Sequence, residues 1–221
     1  MNLNQTVTDR IYNEIKTMII NLDMKLGKRV GIKELCEYFN VSQTPIREAL
    51  NLLIKDELLE YKPRQGYYTR DLSYDDMQEI YELRELVECF SLKQGIKKNN
   101  IDSEEFHQCL LESKNIKNGE NQEKKLLDYR VSDRKFHLKI VKSSANKKLY
   151  DIYLRIYPFV SISQQLDPLC ERSLNEHIQI IQLILNGDTT GAVNSLKNHI
   201  NNCKRSGLIA LKEQLKKEQL R

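Results

Sequence analysis

The sequence predicts a mainly α protein: a small helix-turn-helix unit with a β-hairpin behind it, then an all-α antiparallel bundle. Three observations lead there. Ser42, Gln43, Thr44 and Pro45 make a polar helix start that runs into an apolar stripe at Ile46, Ala49, Leu50 and Leu53, and a second short amphipathic run, residues 32–39, precedes it across the tight Asn40-Val41 step. Two strand-like runs, residues 58–61 and 67–69, flank Lys62-Pro63-Arg64-Gln65-Gly66, which reads as a hairpin with a basic tip. From Ser73 onward every segment has helical periodicity, and neither a strand pattern nor a repeat is visible.

Taken in order, residues 6–22 place Val7, Ile11, Ile15, Met18, Ile19 and Leu22 at helical spacing, a core helix behind the pair that follows. Residues 24–31 are expected as a loop whose Lys25, Lys28 and Arg29 are either phosphate contacts or a solvated charge run. In the pair itself Leu35 and Phe39 face inward; the second helix begins at Gln43, because Ser42 suits an N-cap and Pro45 is tolerated only in a first turn. A shift in pattern at Asp71-Leu72-Ser73 divides the chain into domains 1–71 and 72–221, each long enough to bury a core. Ser73 is expected to cap a long helix to about residue 98, in which Met77, Ile80, Tyr81, Leu83, Leu86, Val87, Phe90 and Leu92 form a stripe too wide for a surface helix. Burial on more than one side is the expectation. Helices over residues 102–117, 121–142, 145–166, 171–185 and 188–215 follow, separated by Asn, Gly, Asp or Ser breaks.

Bulk charge does not announce a nucleic-acid binder. Lys and Arg number 35 against 31 Asp and Glu, a net charge of +4, and the first 70 residues hold 11 basic against 9 acidic side chains. Placement is the signal: Lys25, Lys28, Arg29, Lys33, Arg47, Lys62 and Arg64 all fall near the helix pair or the hairpin. The amide, hydroxyl and guanidinium of Gln43, Thr44 and Arg47 are the groups that read base edges and phosphates in a DNA major groove, and nothing in that helix suits catalysis. Cys36, Cys89, Cys109, Cys170 and Cys203 are odd in number and scattered, with no C-x-x-C, so they read as reduced, packed thiols rather than a disulfide frame or zinc knuckle. No apolar run is long enough for a membrane span and residues 1–5 do not read as a signal peptide, so a cytoplasmic protein with no membrane partner is expected.

Val41-Ser42-Gln43-Thr44-Pro45-Ile46-Arg47-Glu48-Ala49-Leu50 resembles the winged helix of the GntR family, and Pro63-Arg64-Gln65-Gly66-Tyr67 resembles its wing, a match over roughly residues 5–70 with turn, helix and wing in the right order. The chain departs from that pattern at Gln43, where the family usually has Arg, and at Glu57, where it usually has Gly. The resemblance implies a winged helix-turn-helix in which Lys33, Ser42, Gln43, Thr44, Pro45, Arg47, Arg64, Gln65 and Gly66 face DNA, a near-palindromic double-stranded operator and a homodimer.

Three of the four histidines sit where a bundle can gather them. Asp133 and His137 lie one turn apart on one helix face, while His177 and His199 stand ten residues before Gly187 and eleven after Asp188, so an antiparallel pair hinged there brings the two imidazoles level. One carboxylate and three imidazoles suit a divalent ion of the Zn²⁺, Ni²⁺ or Mn²⁺ class with positions left open; each histidine taken singly is more readily a packed residue, and His107 stays so. The same residues resemble the FCD-type ligand-binding domain of the FadR subfamily: Asp133-x-x-x-His137, Ala145-Asn146, Glu176-His177, Gly187-Asp188 and the late His199 occur in order, over residues 72 to about 210. That resemblance implies Asp133, His137, His177 and His199 as metal ligands and a small carboxylate effector. Arg84 matches a family arginine near the ligand cavity, with a surface pair to Glu88 as the plain alternative, and Asn146 joins it as an effector-binding residue. The expected function is a ligand-responsive transcription regulator, a repressor. The competing readings are a metal-dependent enzyme with an appended nucleic-acid module, disfavoured because no general base or nucleophile is placed, and a structural metal in a bundle that only dimerises.

Overall fold

Thr6 opens the first helix, α1 (Val7–Ile20), with a reciprocal cap: its hydroxyl accepts from the Asp9 backbone N–H at 3.1 Å and the Asp9 carboxylate accepts from the Thr6 N–H at 3.1 Å. The structure, a computed structural model, describes residues 6–166 and 170–219, so residues 1–5 lie outside it. A first unit ends at Ser73 and a second begins at Tyr74.

In the first unit α1 is followed by β1 (Arg29–Val30), α2 (Ile32–Phe39), α3 (Gln43–Lys55), β2 (Leu59–Lys62) and β3 (Gly66–Thr69). Ile11, Ile15 and Ile19 of α1 meet Ile46, Ala49, Leu50 and Leu53 of α3 in the core, all of them fully buried. Asn40 ends α2 in the left-handed conformation, φ 51°, which asparagine tolerates, and Val41 N–H then bonds Cys36 C=O at 3.1 Å, turning the chain sharply into α3. The hairpin closes through Gln65 N–H to Lys62 C=O at 3.0 Å, with Pro63 second in the turn and Arg64 third at φ 65°. The stretch 24–31, expected as a loop, contributes β1, which pairs with β3 (Arg29 opposite Tyr68, Val30 opposite Tyr67) in an antiparallel sheet of order β1-β3-β2. A two-residue strand is too short for any alternation to register in sequence. Val7, expected on the buried stripe of α1, is exposed instead.

The second unit consists of α4 (Tyr74–Lys97), α5 (Ser103–Lys117), α6 (Gln122–Ser143), α7 (Lys147–Leu166), α8 (Cys170–Leu185) and α9 (Thr189–Gln219). Helix α4 is central, packed on α6, α7 and α9. Gly95 allows the approach of α6: a Cβ there would run into the Ser143 side chain and stand 3.1 Å from its backbone carbonyl carbon. Gly187, at φ 75°, and Asp188, whose carboxylate accepts from Gly191 N–H at 2.8 Å, form the turn that sends α9 back along α8.

One expectation about α4 fails. Its apolar stripe is not buried on several sides: Met77, Tyr81, Val87 and Leu92 are inside, but Leu83, Leu86 and Phe90 are 37, 69 and 50% exposed along one outer face. Arg84 and Glu88 take the inner positions instead, paired Nε to Oε1 at 2.8 Å with neither side chain accessible. A charge pair that neutralises itself and finds polar partners inside is tolerated at positions a hydrophobic count assigns to solvent.

Candidate metal centre and nucleic-acid face

In the first unit, α2, α3 and the hairpin enclose an open groove of about 640 Å³ whose walls include Lys33, Gln43, Arg47, Arg64, Gln65 and Gly66. Arg47 Nη2 donates to Gln43 Oε1 at 3.3 Å, one turn back, so the two side chains are aimed together from the exposed face of α3. Ser42 is the N-cap of α3 by position, but its hydroxyl makes no capping bond; Ser42 and Thr44 are exposed and Pro45 is half-buried in the first turn. Arg29, one of the basic residues that the sequence places near this face, is set by β1 beside the hairpin and lines the groove; Glu34, the one carboxylate among the lining residues, was not singled out from sequence. Lys62 is already engaged, with Glu60 at 2.8 Å and with the Tyr68 ring centroid 4.6 Å from its Nζ.

In the second unit α6 supplies Asp133 and His137, α8 His177 and α9 His199, all buried, and one ligand atom from each lies within 4.8 Å of the other three. The shared turn at Gly187-Asp188 brings His177 Nε2 to 3.2 Å from His199 Nε2, and Asp133 Oδ1 stands 3.5 Å from both His137 Nε2 and His177 Nε2. Two carboxylates set the tautomers from behind: His137 Nδ1 donates to Glu88 Oε2 at 2.5 Å, and His199 Nδ1 donates to Glu176 Oε2 at 2.7 Å. Each of those rings therefore turns its Nε2 lone pair inward, the arrangement by which outer carboxylates hold metal-ligating histidines. Tyr129 Oη donates to Asp133 Oδ1 at 3.2 Å and Gln164 Nε2 to Oδ2 at 2.8 Å.

The electrostatics call for a cation. Burial would raise the Asp133 carboxyl, but His137, His177 and Arg84 outweigh it and hold it well below the usual range. Burial opposes Glu88 too, yet His137 and Arg84 bring it down to about 2. Burial, aided by the neighbouring cationic partners, lowers His177 and His199 well below 6.5. His137 is raised, its burial overcome by Glu88. With His177 and His199 neutral, Arg84, Glu88 and Asp133 leave a negative balance that a proton on His137, or a divalent ion on these borderline donors, offsets. The donor set fits a metal of the zinc class.

The neutral buried imidazoles also set an acid limit on stability. In the unfolded chain they protonate below about 6.5 and in the folded chain they do not, so the unfolded state binds more protons there and stability, intact above that pH, is lost as pH falls. His137 acts in the opposite sense, one group against two. Chelator-treated protein is expected to show a falling thermal midpoint as pH is lowered from about 7 to about 5, each lowered imidazole contributing at most about 1.4 kcal/mol per pH unit. A flat profile over that window would contradict this environment for the histidines.

Arg84 lies with the cluster: Nε serves Glu88, Nη2 donates to His137 Nε2 at 2.9 Å, and Nη1 is buried without a partner, as is the Tyr153 hydroxyl. The surface-pair alternative for Arg84 is excluded by its complete burial. Asn146 is not brought there; it caps α7, its Oδ1 accepting from Lys148 and Leu149 N–H at 3.0 and 3.3 Å. His107 is bonded to Ser103 C=O within α5, apart from the cluster. A narrow cleft of about 20 Å³, lined from all of α4, α6, α7, α8 and α9 by residues that include Tyr81, Tyr129, Gln164, Ser173 and Cys203, reaches the partners of Asp133 and His199; it has room for roughly one water molecule. Tyr129 and Gln164 carried no signal in sequence, and Glu88, Glu176 and Cys203 were read there only as a partner of Arg84, part of a family-like pattern and a packed thiol, because such a side chain on an amphipathic helix looks the same whether it faces a ligand or solvent.

Residues 7–68 match the model of the bacterial regulatory proteins of the gntR family, and residues 79–202 match the FCD domain. The uncharacterized HTH-type transcriptional regulator YdhC of Bacillus subtilis (strain 168) is 30% identical over 202 residues, 87% of each chain. Among solved structures, E. coli McbR/YncC superposes with a TM-score of 0.76 at 18% identity, covering 95% of this chain and 99% of that one. The Zn²⁺-bound FCD domain of TM0439 superposes with a TM-score of 0.56 at 24% identity, covering 64% of this chain and 97% of that one.

Proposed function

The chain belongs to the gntR family of bacterial regulatory proteins, with an FCD domain behind its winged helix, and is a DNA-binding transcription regulator; from that premise we propose that a divalent ion at Asp133, His137, His177 and His199, with a small carboxylate bound beside it, sets the grip on DNA. The enzyme reading falls with the family, which is one of transcription regulators. The observation that carries the proposal is the convergence of four buried donor atoms on one point, with two of the imidazoles held from behind by carboxylates. The Zn²⁺ bound by the FCD domain of TM0439 supports it. When bound, the ion supplies a Lewis-acidic anchor for a carboxylate oxygen.

The chain's own residues account for the response. The unpaired Nη1 of Arg84 is a buried donor aimed at no protein acceptor, suited to an anion. The cleft holds little more than a water, so a carboxylate that enters it must spread helices α4, α6, α7, α8 and α9, each of which lends a wall residue. Ligand-bound and ligand-free bundles then differ in helix arrangement, and the ligand changes DNA affinity by as much as it prefers one of them. Action as a repressor in the cytoplasm, where the operator lies, completes the reading.

Lys33, Ser42, Gln43, Thr44, Pro45, Arg47, Arg64, Gln65 and Gly66 are the proposed DNA contacts of each protomer. One such unit reads only a few base pairs, so a two-fold dimer on a near-palindromic operator, with half-sites about one helical turn apart, is proposed. The outer face of α4 supports it through exposed Leu83, Leu86 and Phe90, whereas Tyr81 of the same apolar stripe is in the core. Sedimentation of the wild type at micromolar concentration is expected to show dimer and Leu86→Glu to show monomer; monomer for the wild type, with and without DNA, would contradict it.

Selection from a random duplex library, followed by affinity measurement on the recovered duplex, tests the whole reading. Near-palindromic sites are expected, with affinity that shifts when small carboxylates are added to metal-loaded protein. Affinity indifferent to chelator and to every carboxylate would leave the metal a purely structural part.

A further inference from the structure

With Nδ1 of His137 committed to Glu88, the ring has one lone pair left, on Nε2, and a protein group already holds it: Arg84 Nη2 donates to Nε2 at 2.9 Å. A zinc-class ion bonds an imidazole nitrogen through that same lone pair at about 2.1 Å, well inside the 2.9 Å at which Nη2 stands. One lone pair serves one Lewis acid at a time. We propose that Arg84 is an internal competitor for the metal position on His137, and that its displacement from that position completes the site for a carboxylate. The guanidinium holds His137 when no ion is bound and turns Nη2 over to a carboxylate when one is. This rests on the metal reading made above and gives it an order, ion first and carboxylate second.

Glu88 supplies the pivot. Its Oε1 accepts from Arg84 Nε at 2.8 Å while its Oε2 accepts from His137 Nδ1, so both side chains stay anchored when Nη2 lets go of Nε2. Nη1 is already buried without a partner, so release of Nη2 leaves the whole outer edge of the guanidinium fork unmatched in the interior. An anion with two oxygens on one carbon matches that edge with two parallel bonds, and a spherical anion or an alcohol does not. Tyr153, whose buried hydroxyl is likewise without a partner, is among the groups whose field bears on Arg84 and adds a further donor for such an oxygen. While Nη2 is held by His137, only Nη1 is on offer. Ion and carboxylate therefore tighten one another, and by the same factor in either direction.

Titration of the full-length protein with Zn²⁺ alone, and then with acetate, tests the competition. Arg84→Lys keeps the positive charge and enough length to reach Glu88 one turn on, but has no second nitrogen with which to hold His137. It is expected to bind Zn²⁺ at least about tenfold more tightly than the wild type, because a hydrogen bond from a charged donor no longer has to be broken, and to lose the mutual tightening of Zn²⁺ and acetate. Zn²⁺ affinity equal to or below that of the wild type would overturn the competition and leave the metal reading standing. Guanidinium-nitrogen NMR of the wild type gives a second answer that does not depend on how the variant folds. A slowly exchanging, hydrogen-bonded Nη resonance is expected to lose its bonded shift with one equivalent of Zn²⁺ and to move again with acetate; a resonance unmoved by bound Zn²⁺ would overturn the displacement. No uptake of Zn²⁺ by either protein would overturn both readings.

Discussion

Alanine at His177 or at His199 is expected to lower metal affinity by at least about a hundredfold, since loss of even an outer-shell partner typically costs 10–100-fold and these are the donors themselves. The two rings face each other at 3.2 Å, so either replacement leaves the remaining donors without a neighbour on that side of the site. Both rings are buried and neutral, so truncation strands no charge, and the cost in folding is that of a core cavity, a few kcal/mol at most by analogy with other large-to-small changes. The first unit has its own core of Ile11, Ile15, Ile19, Ile46, Leu50 and Leu53, so DNA binding is expected to survive while the response to carboxylates is lost. Competition against a metal-sensitive chelator gives the affinity and gel shift gives the DNA arm. Wild-type metal affinity in both variants would remove these histidines from the site.

Arg47→Ala is expected to weaken operator binding by about 1–3 kcal/mol, roughly 5- to 150-fold, the range for a good base contact. Arg47 projects from the exposed face of α3 into the groove and is steadied there by Gln43, so little ordering is left to be done on binding. Lys33 and Arg64 line the same groove at its other walls, and their loss is expected to weaken all sequences alike and to flatten the salt dependence, as removal of phosphate contacts does. Wild-type affinity for Arg47→Ala in a gel-shift series at constant salt would sink the assignment of α3 as the reading helix.

How much of this was legible in sequence varies with the kind of signal. Helix starts were legible to within a residue: α3 begins at Gln43 as expected, and Asp102 and Asn121, expected as the first residues of their helices, are the N-caps one residue before α5 and α6. Strand β1 was not, because two residues carry no period. The approach of His177 to His199 was legible from their even placement about Gly187-Asp188, and that of Asp133 to His137 from spacing alone. The inward turn of Arg84 and Glu88 was not, since helical periodicity ranks positions by hydrophobicity and a self-neutralising pair defeats that ranking. The same blindness let Leu86 read as buried when it lies outside. Asn146, part of a family-like pattern, turns out to be committed to the first turn of α7.

Metal analysis of the purified protein bears most directly on the proposed centre. After dialysis at neutral pH against Zn²⁺, Ni²⁺ or Mn²⁺ in turn, elemental analysis is expected to find one tightly held ion per chain, lost on replacement of His177 or His199. No stoichiometric metal as purified, and none taken up from any of the three, would leave Asp133, His137, His177 and His199 as ordinary packing residues and contradict the proposed role of the bundle.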